Sequence, residues 1–96
     1  MNKVYIITYN PVEPFNKALF HNYIKSLHNN NYISDWWHYI DETYLVVSSL
    51  PVNQLYNATF PGVPGRYIFI VEVNLNNAQG WLPPNAWVWI RKYKNL

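Results

Sequence analysis

Five tryptophans, nine tyrosines and four phenylalanines share this chain with only seven basic and five acidic residues. Each such ring buries roughly 150–250 Å2 when packed, and the chain has 96 residues with which to cover them. A single domain of this length buries only about 60–65% of the surface its unfolded chain exposes. The aromatic surplus therefore limits the fold more than any motif does: any sheet formed needs cover on both faces. A half-apolar composition and a net charge of +2 exclude a disordered chain. The lack of cysteine excludes a disulfide scaffold and a thiolate metal cage. No apolar run approaches the roughly 20 residues that span a bilayer, and Met1-Asn2-Lys3 leads straight into a strand-like segment. The expectation is a soluble, cytoplasmic protein with no membrane contact, no metal and no cofactor.

Lys3 to Tyr9 is β-branched or aromatic at nearly every position, as in a central strand buried on both faces, and Asn10-Pro11 ends it. Pro14 to Asn30 reads as an amphipathic helix with Phe15, Leu19, Tyr23 and Leu27 on one stripe, widened by Phe20 and Ile24. Asn29-Asn30-Asn31 stops it, asparagine being tolerant of left-handed backbone. Tyr32 to Ile40 and Thr43 to Ser49 read as two strands joined at Asp41-Glu42. Ser49 caps a second, shorter helix with Pro51 in its first turn. Residues 61–65 form a turn, Tyr67 to Leu75 a fourth strand, and Asn85 to Tyr93, after Pro84, a closing helix.

The order β-α-β-β-α-β plus a C-terminal helix predicts an α+β, ferredoxin-like sandwich with a four-stranded antiparallel sheet in a single domain. Two short helices cover one face. The other would carry some of Tyr5, Tyr9, Trp37, Tyr39, Tyr44, Tyr67 and Phe69, more apolar surface than a soluble monomer usually tolerates. The C-terminal helix and a second copy of the chain together are the expected cover, as a symmetric homodimer using Trp37, Tyr39, Trp81, Trp87 and Trp89. Trp87 and Trp89 lie two apart on a helix, so one should pack on its own sheet while the other points elsewhere.

A strand ending in Tyr9-Asn10, an amphipathic helix, the run from Trp36 to Val46 (WWHYIDETYLV), and Gly80-Trp81-Leu82-Pro83 followed by Ala86-Trp87-Val88-Trp89-Ile90 resemble the small SinR-like proteins, relatives of the CRISPR-associated small adaptation subunit. The resemblance spans most of the chain. It implies a ferredoxin-like homodimer, found in phage and mobile elements and mostly without established activity. It also implies that the position of a metal-binding aspartate at the end of the first strand is taken by Asn10, whose neutral amide cannot supply the carboxylate charge that holds Mg2+. That substitution argues against a metal nuclease and leans the reading away from an enzyme.

Four groups of side chains invite a chemical reading. His38 and Asp41, with Tyr9, could serve metal-independent RNA cleavage, His38 acting as general base. Three residues along a strand is roughly 10 Å, on opposite faces, so a hydrogen-bonded strand-end histidine and a turn aspartate are favoured. His21 and His28, two helical turns apart, read as a solvated face rather than a metal pair. Arg66, Arg91, Lys92 and Lys94 near tryptophans could form a nucleic-acid surface, although a charge of +2 is weak for one. Tryptophan walls around a nucleotide base make a fourth possibility. The favoured expectation is a non-catalytic homodimer with an interaction or nucleic-acid-associated role; a metal-independent ribonuclease and an aromatic-pocket nucleotide binder are the alternatives.

Overall fold

The spine of the molecule is β1 (Lys3–Tyr9), which pairs antiparallel with a strand on each side and buries Val4, Tyr5, Ile7 and Tyr9. In the computed structural model the described residues are 1–10, 17–63 and 67–96. After β1 come α1 (Lys17–Asn29), β2 (Asp35–Ile40), β3 (Thr43–Ser48), α2 (Val52–Thr59), a 3-10 turn (Phe60–Gly62), β4 (Ile68–Val73) and α3 (Pro84–Tyr93). The four strands form one open antiparallel sheet in the order β2-β3-β1-β4. The α+β class, the antiparallel sheet and the three helices agree with the sequence reading. The predicted helix start at Pro14 and Phe15, the end of the predicted 61–65 turn, and Arg66 lie outside the described residues.

Element boundaries differ from expectation for local reasons. The buried stripe of α1 is Phe20, Ile24 and Leu27, with Tyr23 half-buried, while Leu19 points outward. Asn31 adopts the left-handed conformation (φ 67°), and the Tyr32 and Ile33 amides donate back to the Leu27 carbonyl. Those bonds delay β2 until Asp35. The hydroxyl of Ser48, not Ser49, accepts the Leu50 amide, and α2 starts behind Pro51, whose carbonyl takes the Gln54 and Leu55 amides. The predicted Ser49 cap is therefore absent from α2.

Two helices lie on one face of the sheet and the third lies on the other. Tyr5, Ile7, Tyr9, Tyr44 and Val46 pack with Phe20, Ile24, Leu27 and Leu55 in the first core. Val4, Leu45 and Val47 pack with Trp89 and Ile90 of α3 in the second. Tyr5, Tyr9 and Tyr44 are thus buried under α1 and α2 rather than displayed on the opposite face. Both faces of β1 are apolar, so its pattern left the choice open, and a one-residue slip exchanges the faces.

The 3-10 turn reaches the first core through Gly62. A Cβ there would sit 2.6 Å from Cδ2 of Tyr23 and 3.1 Å from Cδ1 of Phe20. Tyr23 cannot swing aside without losing the hydrogen bond from its hydroxyl to the Ala58 carbonyl (2.7 Å). Gly62→Ala is therefore expected to destabilise the fold by about 1–3 kcal/mol, the cost of overpacking. Urea unfolding would measure it, and an unchanged midpoint would show that Tyr23 is not pinned there.

Candidate functional site

The residues singled out from the sequence fall into two regions. At the β2-β3 end, on the α1 side of the sheet, His38, Tyr9 and Asp41 do come together, but through backbone. His38 Nε2–H donates to the Asp41 carbonyl (3.0 Å), and the Tyr9 hydroxyl donates to the same oxygen (2.9 Å). The Asp41 carboxylate is not what orients the imidazole. The His38 ring stacks on Tyr44, centroids 4.0 Å apart and planes 14° from parallel.

The residue that sequence reasoning missed is His21. Its Nδ1 is 2.7 Å from the Tyr44 hydroxyl, its ring lies 5.5 Å from that of His38, and Trp36 meets it edge-on at 5.1 Å. The signal was its position beside Phe20 and three before Ile24, at the margin of the buried stripe. His28, its supposed companion, is exposed and bonds the Ile33 carbonyl through Nδ1.

Burial, then the neighbouring charges of His38 and Lys25, pulls the His21 imidazole below its ordinary range. Burial, with Glu42 and Asp41 adding to it, pushes Tyr9 up to about 12, and burial also pushes Tyr44 strongly upward. Phenols held this firmly protonated donate hydrogen bonds and do not act as bases near neutrality. His38 Nε2 carries a proton fixed on a carbonyl, so Nε2 is not the nitrogen that would accept a proton. The arrangement does the work of a packed, hydrogen-bonded corner. Among the described residues no three His, Cys, Asp or Glu side chains gather as a metal-ligand set. Asn10 is exposed and donates its amide to the Tyr67 carbonyl (3.0 Å), extending the β1-β4 pairing.

The second region is the α3 face, where the cross-strand register defines three rows. Asp35, Val47, Val4 and Val73 form the first, Trp37, Leu45, Ile6 and Val71 the second, and Ile40, Thr43, Thr8 and Phe69 the third. The register shift between His38 and Ile40 lets Tyr39 and Ile40 both turn toward this face. α3 covers the first row and part of the second. The third row is bare: Phe69 is 61% and Ile40 51% exposed, and Val71 beside them is also exposed.

Between the bare row, α3 and the segment from Leu75 to Leu82 runs a groove of about 330 Å3. Its floor includes Ile6, Leu45 and Ile90, its walls Tyr39 and Trp87, and among the described residues no charged side chain lines it. Trp81 stands at the rim, 100% exposed. Of the five aromatic residues expected at a dimer interface, Trp89 is instead buried in its own chain at 8% exposure. Trp37, Tyr39 and Trp87 are half-buried, and Trp81 alone is open. Trp87 and Trp89 do diverge as their spacing predicts, one to the groove and one to the core.

Three of the four basic residues singled out from the sequence sit at the C-terminal end of α3. Lys92 lies 3.8 Å from Asp35 and 5.2 Å above the Tyr93 ring, so its charge is partly engaged. Arg91 and Lys94 are exposed on the last turn and the end of α3, and Arg66 lies outside the described residues. Among the described residues no helix is long and apolar enough to cross a membrane. The fold and this face define a small α+β domain with an open antiparallel sheet, one end of which is uncovered. Compared with known proteins, the chain matches no protein-family model, no curated protein and no solved structure.

Proposed function

We propose that this chain is a non-catalytic interaction protein that works as a homodimer, built on a ferredoxin-like sandwich and joined through the bare end of its α3 face. The observation that carries the reading is the exposed row from Ile40 to Phe69, continuous with Val71, the groove and Trp81. Apolar surface of this extent is unfavourable in water, and a two-fold pairing covers both copies at once. The ferredoxin-like assignment draws support from the strand order. β1 and β2 run in one direction with β3 between them, and β3 and β4 likewise flank β1, giving two interleaved split β-α-β units. The resemblance to the SinR-like relatives of the adaptation subunit points the same way, toward an assembly role in a phage or mobile-element setting. The neutral Asn10 supports the non-catalytic half of the proposal.

Light scattering at tens of micromolar is expected to give twice the 11.5 kDa chain mass, and Phe69→Glu is expected to give the monomer. A monomeric wild-type chain overturns the dimer. Incubation with labelled RNA and DNA tests the other half: cleavage that survives EDTA and disappears in His38→Ala would make the protein a metal-independent ribonuclease.

A further inference from the structure

Trp81, fully exposed, also sits at the rim of an apolar groove. Trp81 makes no use of its own core, although burying an indole is among the largest single gains open to a chain this size. It is nevertheless not on a loose tail. Leu75 and Leu82 on either side of it pack into the second core, and Pro83 fixes the backbone where α3 begins. A side chain at Gly80, immediately before it, would meet nothing within 4 Å. The segment therefore holds the ring out as a knob on a short, anchored tether. Beside it lies the apolar groove floored by Ile6, Leu45 and Ile90, and the groove shares Ile40 and Thr43 with the bare row.

We infer that Trp81 is a reciprocal anchor: in the homodimer proposed above, each copy seats its Trp81 indole in the groove of the other. The inference rests on that homodimer and names the contact that holds it. A knob and a hole adjacent on one surface satisfy each other twice across a two-fold axis, which a ligand or an unrelated protein would not require. The area is adequate. Trp81, Phe69, Tyr67, Ile40 and Val71 together offer about 500–600 Å2 per copy, enough for an interface of roughly 1,000 Å2 in total. An aromatic entering an apolar pocket, with water excluded by the surrounding row, is the usual form of a binding hot spot.

The test compares wild type, Trp81→Ala, Trp81→Phe and Ala78→Trp by light scattering over a dilution series, with tryptophan emission read in parallel. Trp81→Ala removes a fully exposed side chain, so its melting temperature as a monomer should match that of dissociated wild type while its dimer weakens by at least about 30-fold. Ala78→Trp puts bulk into the groove from an exposed position and should weaken the dimer comparably. Wild-type emission should shift to the red on dilution, and Trp81→Phe should abolish most of that shift. A wild-type dimer that tolerates both Trp81→Ala and Ala78→Trp overturns the anchor and leaves the dimer standing. A wild-type monomer at every concentration overturns both. A monomer whose emission is quenched by added adenosine monophosphate, with the quenching lost in Trp81→Phe, would instead make the groove a nucleotide site.

Discussion

Tyr44→Ala is expected to cost about 3–5 kcal/mol, a loss comparable with the whole stability of a small domain. Tyr44 is completely buried, and side chains of β2 and α1 meet on it. His38 of β2 stacks on one side of its ring and Phe20 of α1 meets it edge-on with centroids 5.6 Å apart. Trp36 tilts against it at 6.1 Å, and His21 bonds its hydroxyl. Truncation leaves a cavity between sheet and helix that α1 cannot close without giving up the core contacts of Ile24 and Leu27. Tyr44→Phe keeps the ring and removes only the hydroxyl, leaving His21 Nδ1 without that partner, for about 1–2 kcal/mol. Urea denaturation of both variants at one pH separates packing from hydrogen bonding. Equal costs would show that the hydroxyl, not the ring, holds this corner together.

The elements whose orientation was legible in the sequence are those whose two faces differ. α1 shows a stripe of spacing three and four, and Asn31 stops it in the conformation asparagine tolerates, so its C-terminal end could be read to within a residue or two. α3 was readable for the same reason. β1 is apolar on both faces, and nothing in its seven residues says which tyrosines lie under the helices. That depends on register with β3 and β4, a non-local property. The functional region shows the same division. Composition announced uncovered aromatic surface, and Trp81 and Phe69 were among its named members, yet Trp89 is buried because α3 rotates it onto Val4 and Val47. His21 was lost because a histidine on a helix looks solvated until the partner strand is known. The bulge at His38–Ile40, which turns Tyr39 and Ile40 to one face, has no marker such as glycine in the sequence.

Loosening of α3 by acid and by strong base follows from the group that ties its end to β2. The Asp35 carboxylate accepts the Tyr93 hydroxyl (2.5 Å) on one oxygen and the Trp36 amide (2.8 Å) on the other, with Lys92 at 3.8 Å. Burial alone would raise its pKa. The Tyr93 and Trp36 hydrogen bonds outweigh that, with smaller pulls from Lys92 and from a Trp89 indole N–H outside hydrogen-bond geometry, and the carboxyl is held below its ordinary range. A depressed carboxyl pKa stabilises the fold above the unfolded value near 3.9, and the contribution is lost as pH falls through the folded one. Tyr93 behaves in the opposite sense. Burial, with the bond and charge of Asp35, pushes its phenol up to about 12. Its contribution is complete below the unfolded value near 10 and is lost as pH climbs toward 12. Asp35→Ala is therefore expected to cost roughly 1–2 kcal/mol near neutral pH, at the low end for a charged acceptor because 30% of its side chain still meets solvent. The difference from wild type should shrink below about pH 4 and again above about pH 10. Trp89 packs against the Tyr93 ring at 4.7 Å, so its near-ultraviolet dichroism reports the tether directly. A wild-type-to-variant difference that stays constant from pH 3 to pH 11 would mean that Asp35 contributes volume and not charge.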